Sequence, residues 1–299
     1  MIRQRCVPVV ALLALALVGA GCSSSGSGGG LFPAASSVGP GASGSGSVSG
    51  STGATGSASP TGDEAEVRRV AGDYADSTDA RQICTTLVTP RLVLEIYRTQ
   101  ATCLSTSGGS GATPSASTVE SAEVTGTSAQ VGVRSTSGSV TVQGHLGLRK
   151  SAGVWRVDSY GDDLVRATLI AEVQQPVTSG ALTVPALRTC MVQKIPSASM
   201  TILRSFLFAS LRRDPQARNI GAQFLNICPV PLSAYVAGRL MDAVSTRGRT
   251  PAQLQCIQRT LANLLPVTGL APKAVQSNVD GATKAALAGL VQGAEKTCA

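Results

Sequence analysis

The side chains here best suited to chemistry are one histidine, His145, and six cysteines, Cys84, Cys103, Cys190, Cys228, Cys256 and Cys298. Any imidazole general base must be His145. It falls on the polar side of a predicted strand with Thr141, Gln143 and Arg149. Opposite Asp158 or Asp162 across a cavity, it would form an acid/base pair; facing water, it is ordinary surface. Asp162-Asp163 offer two carboxylates to a hard cation. With no further ligand in view they read instead as the cap of a helix starting at Leu164, and no metal or other cofactor is assigned. The cysteines form no C-x-x-C, which leaves a zinc site or a thioredoxin-like motif without support. No G-x-S-x-G, phosphate-binding loop or dinucleotide fingerprint occurs. Aromatic residues make up 3% of the chain, too few for a carbohydrate platform or a nucleic-acid stacking surface. Trp155 reads as core. What remains is sulfur and charge.

The elements that carry the sulfur begin with a leader. Met1–Gly21 has Arg3 and Arg5, an apolar run from Val7 to Val18, and Gly19-Ala20-Gly21 before Cys22. That is the layout of a signal peptide, and the run falls short of the ~20 residues a spanning helix needs. Val18-Gly19-Ala20-Gly21-Cys22 resembles the lipobox of bacterial lipoproteins, departing from it at Gly19, where a larger aliphatic residue is usual. The resemblance implies that Cys22 becomes the acylated (palmitate-type) first residue of the mature chain. The bilayer is then its first partner, and the outer face of the cytoplasmic membrane its location. Residues 1–21 are the expected signal peptide, and 22–62 the lipidated cysteine with a tether. From 23 to 62, 25 of 40 residues are Gly or Ser and none is charged. Such a segment cannot bury enough apolar surface to offset the entropy of ordering. As a flexible coil it spans about 35 Å on average. The scarcity of lysine beside abundant alanine, glycine and valine suits a GC-rich bacterial genome.

Six cysteines beyond Cys22 in an exported chain read as three disulfides. The formal net charge of +8 is unevenly spread. Residues 63–165 carry 9 basic and 12 acidic side chains, residues 186–299 carry 13 and 4. Outside the cytosol the anions available to a cationic half are lipid head groups and wall polymers, not nucleic acid. Arg204, Arg212, Arg213 and Arg218 gather at one helix junction and are the candidate anion-binding residues. Arginine forks match phosphate geometry, although cations also collect at helix C-termini, where Arg212-Arg213 stand.

Residues 63–169 read as helices followed by strands. Val67, Val70 and Tyr74 share one helical face, and Thr61 and Glu64 stand at capping-box spacing before it. A second helix follows Asp79 and carries Ile83 and Leu87. A third starts at Thr89-Pro90, with Leu94 and Tyr97 inward. The period then shortens to two over Val119–Val124, Ala129–Arg134, Ser139–Lys150 and Val154–Tyr160. Turn signals at Ser137-Gly138 and Ser151-Ala152-Gly153 make the connections short, so the sheet is antiparallel and covered on one face. The run Asp79-Ala80-Arg81-Gln82-Ile83-Cys84-Thr85-Thr86-Leu87-Val88-Thr89-Pro90, the second cysteine Cys103 and the closing strand Val154-Trp155-Arg156-Val157-Asp158 resemble the NTF2-like (SnoaL-like) fold of exported actinobacterial proteins. The resemblance covers about a third of the chain. It implies a cone of helices on a curved antiparallel sheet and a Cys84–Cys103 bridge. That fold hosts enzymes, binding domains and inert scaffolds alike.

Residues 170–185, with Pro176 and Gly180, read as a connector, and 186–299 as a separate all-helical domain. Asp214-Pro215 and Thr250-Pro251 start helices, the latter with Gln253 at capping-box spacing. Apolar stripes run through Ile220, Phe224 and Ile227; Leu232, Val236 and Leu240; Leu254, Ile257, Leu261 and Leu264; and Leu287, Leu290 and Val291. Cys190-Met191-Val192-Gln193-Lys194-Ile195 is similar to Cys256-Ile257-Gln258-Arg259-Thr260-Leu261, and each is followed by a cysteine 38 or 42 residues after its own. Two helical units, each stapled from start to end, fit Cys190–Cys228 with Cys256–Cys298; two other pairings of these four stay open. The unit resembles small cysteine-paired helical modules of secreted actinobacterial proteins. The expected fold class is thus α+β, NTF2-like, plus a disulfide-stapled all-α domain. The expected role is non-catalytic binding or assembly at the cell envelope, with another envelope protein or an anionic polymer as partner. Two alternatives stand beside it: an NTF2-like enzyme of dehydratase or isomerase type using His145, and anionic polymer or head-group binding by the helical domain.

Overall fold

A computed structural model describes residues 62–107, 116–137, 140–175, 177, 180–276 and 278–299. The leader, Cys22, the tether, the cap residue Thr61 and the turn residue Gly138 lie outside these.

Helix α1, Gly62–Asp76, buries Val67, Val70 and Ala71 and keeps Asp63 and Glu64 in its first turn, where acids favour the helix dipole. Asp79 caps the short α2, Ala80–Gln82, by accepting from the Arg81 amide. The chain runs on as a π-helical turn, Ile83–Leu87. Thr89 caps α3, Pro90–Tyr97. Here one inward residue differs from expectation. Leu94 is 60% exposed, while Leu92, Val93, Ile96 and Tyr97 form the buried face. Thr99 caps a further helix, α4, Gln100–Thr106.

Four strands follow: β1 Ala116–Thr125, β2 Ser128–Ser137, β3 Val140–Ser151 and β4 Val154–Tyr160. They pair antiparallel in the order β1-β2-β3-β4. The tight β3–β4 turn places Ala152 and Gly153 at positive φ, as short hairpins require. Val131 lies opposite Leu146 and Ala129 opposite Leu148, and Leu148 opposite Val157. This set faces the core, and Trp155 beside it is 1% exposed. On the solvent side Arg134 and Gln143 both donate to Glu120.

Helix α5, Asp162–Gln174, follows without a break and packs on β3. Its close approach rests on Gly144, where a Cβ would lie 2.5 Å from the Leu164 Cα. The first five residues of the expected connector are therefore helical, because Val165, Leu169 and Val173 give α5 a continuous buried stripe. A 3-10 turn occupies Ala181–Thr183.

The remainder is helical: α6 Pro185–Lys194, α7 Met200–Leu211, α8 Ala217–Leu225, α9 Pro229–Leu240, α10 Pro251–Thr268, α11 Ala271–Ala274 and α12 Gly281–Thr297. The Thr250–Gln253 capping box is formed. Asp214 accepts from the Gln216 amide, and α8 begins just after. Phe206 and Phe224 stack at 4.3 Å. The inner positions of α10 are Ile257, Leu261 and Leu265; Leu264 is turned outward. The protein is α+β, and three cysteine pairs stand at bonding distance: Cys84–Cys103, Cys190–Cys228 and Cys256–Cys298. The last two are the start-to-end staples that the spacing favours. Buried apolar residues run as one core from the sheet into the helices, with α3 packed on α7 and α5 on both α6 and α7.

Candidate functional site

His145 does meet an acid, and it is neither Asp158 nor Asp162. Its Nδ1 lies 2.5 Å from Asp163 Oδ2, and its backbone N–H points to Asp163 Oδ1 at 3.3 Å. The Gly161 amide donates to the His145 carbonyl at 2.8 Å. The cause is local. Strand β4 ends opposite Leu146, so at His145 the edge of β3 has lost its neighbour. The β4–α5 corner supplies the missing hydrogen bonds. Asp163 Oδ1 also accepts from the Leu164 amide at 2.8 Å. Burial raises its carboxyl pKa, but the His145 bond and these amides outweigh burial and hold it below the usual carboxylate range. The side chains of His145 and Asp163 are 43% and 48% exposed. A His–Asp pair can pass protons. This one spends both carboxylate oxygens fixing a chain corner and opens on water, so its geometry fits a clasp.

The two acids weighed as its partners do other work. Asp158 accepts from Thr89 Oγ1 at 2.7 Å and from Arg91 Nε at 3.1 Å, and Arg91 also donates to the Asp158 carbonyl. Burial raises the Asp158 pKa; the Arg91 and Thr89 bonds prevail and lower it overall. The Thr89 amide bonds the Val157 carbonyl at 2.9 Å. The Thr-Pro and Trp-strand segments of the sequence motif therefore grip each other. Asp162 accepts from Arg204 at 2.8 Å.

The four candidate anion-binding arginines are not one cluster of free charges. Arg204 donates to the Tyr160 carbonyl at 2.7 Å and reaches Glu95 at 3.4 Å as well as Asp162. Arg212 bonds Asp214 at 2.9 Å and the Ile96 carbonyl at 3.3 Å. Both join the helices to the sheet-bearing part. Asp214 further pairs with Arg98 at 3.5 Å. Its burial raises its pKa, yet the Gln216 amide and Arg212 outweigh that and bring it below normal. Arg213, at a left-handed φ of 54°, is exposed, and Arg218 is half-buried. These two keep their charge for solvent.

Two features were not read from the sequence. Tyr74 and Tyr160 hydrogen-bond through their hydroxyls, and Tyr160 sits edge-on to Phe208 of α7. Burial pushes both phenols above their ordinary range. Glu172 of α5 is 7% exposed. The helical periodicity of Val165, Leu169 and Val173 would have placed it inside. The acid nearest His145 was also legible from register: a turn at 152–153 brings 145 opposite the residues just after 160.

Among the described residues no group of three or more His, Cys, Asp or Glu is placed to hold a metal ion. No single described helix is long and apolar enough to cross a membrane. No family model matches this chain, and neither the curated proteins nor the solved structures contain a match to it.

Proposed function

We propose that this chain is a lipid-anchored extracytoplasmic protein with a non-catalytic binding or assembly role at the outer face of the cytoplasmic membrane. The observation that carries the reading is Cys22, set behind a basic, apolar and then small-residue leader. Oxidised pairing of all six cysteines beyond it supports the same compartment, since disulfides persist outside the reducing cytosol. On this reading residues 22–62 are the lipidated tether, 63–169 an NTF2-like domain and 186–299 a stapled helical domain. Support for the NTF2-like part is its order, helices before a four-stranded antiparallel meander, and the Thr89–Asp158 latch between the motif segments. Support for a non-catalytic role is the exposed His145–Asp163 clasp.

Intact-mass and peptide analysis of the membrane fraction from an actinobacterial host tests the anchor. The expected product starts at an acylated Cys22 and carries three disulfides. A product that retains Met1–Gly21 and has free thiols overturns the reading. Within it, one observation favours an anionic partner: Arg213 and Arg218 have no ion pair among the described residues. On a half with 13 basic and 4 acidic side chains, they are where a wall polymer or head group would bind.

A further inference from the structure

Glu172 has no place in that reading, and its surroundings are unusual for a carboxyl. It lies on the stripe of α5 that buries Val165, Leu169 and Val173. Its Oε1 is buried with no hydrogen-bond partner among the described residues. Helix α5 is also the element that packs on the sheet through β3 and on the helices through α6 and α7. A buried ionised carboxylate needs a countercharge or donors, so the charges around it decide its state.

The elements packed on α5 carry several. From β3 come His145, Arg149 and Lys150; from α6, Arg188 and Lys194; from α7, Arg204. On α5 itself stand Asp162, Asp163 and Arg166. His145 is held by Asp163, Lys150 by Asp63, and Arg204 by Glu95 and Asp162. Arg166 donates to the Ile195 carbonyl at 2.5 Å. Arg149, Arg188 and Lys194 form no ion pair with Glu172, and the Ile195–Ser197 turn brings no charge.

We propose that Glu172 is a pH-sensitive release between the sheet and the helices: neutral, it lets α5 lie packed on both sides, and ionised, it calls for water and loosens that packing. Burial alone acts on this carboxyl and raises it to about 8, against about 4.3 for an unfolded glutamate. The folded state therefore holds its proton where the unfolded state has lost it. The stabilisation is complete below about pH 4.3 and is lost as pH rises through about 8. His145 of β3 is bonded to Asp163 at the opposite end of α5 from Glu172.

The test compares thermal unfolding of the oxidised full chain and its Glu172→Gln variant from pH 5.5 to 9. The wild-type midpoint is expected to fall by about 5 °C or more relative to the variant over this range, while the variant loses that component of the slope. Equal slopes overturn the proposal. Should the variant fail to fold, carboxyl 13C titration of the glutamate-labelled wild type decides. One resonance with a midpoint near 8 supports the proposal, and titration of every glutamate below about 6 overturns it.

Discussion

The sheet-bearing and helical parts are held together by different means. In the first, polar side chains fix the geometry: the Thr89–Asp158–Arg91 latch, the His145–Asp163 clasp and the Glu120–Arg134–Gln143 lattice join residues far apart in sequence. In the second, a long-range ion pair inside the part is Arg249–Glu295, and the covalent staples span 38 and 42 residues against 19 in the sheet-bearing part. Strand pairing sets register by backbone bonds and is refined by directional side chains. Among the described residues the helical part has fewer such directional long-range contacts, and its sulfur bridges stabilise it by restricting the unfolded chain.

The comparison is most exposed to removal of the bridges. Replacing Cys256 and Cys298 together by serine should cost about 4 kcal/mol, and replacing Cys84 and Cys103 about 3 kcal/mol, on the chain-entropy account. Denaturant unfolding of the oxidised variants reads the order; the reverse order would break the contrast.

A smaller effect sharpens the description of the join. Asp214→Asn leaves Arg212 and Arg98 short of an acceptor and should cost about 2 kcal/mol. Asp158 and Asp214 both titrate below the ordinary carboxylate range. Their stabilisation is present above about pH 4 and lost as pH falls through their lowered values. Thermal unfolding from pH 5 to pH 2 should show that loss, with a shallower slope in Asp214→Asn; an unchanged slope would assign the acid response elsewhere.

The smallest test uses two glycines. At Gly144 a Cβ meets the Leu164 backbone, whereas at Gly289 of α12 it meets nothing within 4 Å. Gly144→Ala should destabilise by about 1–3 kcal/mol, and Gly289→Ala should stabilise by about 0.5–1 kcal/mol. Changes of the same sign in calorimetric midpoints would show that packing does not separate the two regions.

Much of this was legible in the sequence. Period-two alternation located all four strands, and proline after a capping residue located α3 and α10, because these signals are local. Leu94 and Leu264 were misplaced by one step around their helices, since a stripe read by spacing does not say which flank is covered. The Glu172 burial follows the α5 stripe of Val165, Leu169 and Val173, whereas the Arg204 and Arg212 contacts depend on how α7 packs on α3 and α5, and no local pattern encodes that packing. The His145 partner was one residue from an acid already weighed; the β4–α5 corner, not composition, selects Asp163.

Asp63, at the head of α1, accepts from Lys150 at 2.5 Å and from the Trp155 indole at 3.2 Å. These partners lie 87 and 92 residues further along the chain. The first turn of α1 is thus moored to the β3–β4 hairpin as well as to its own backbone.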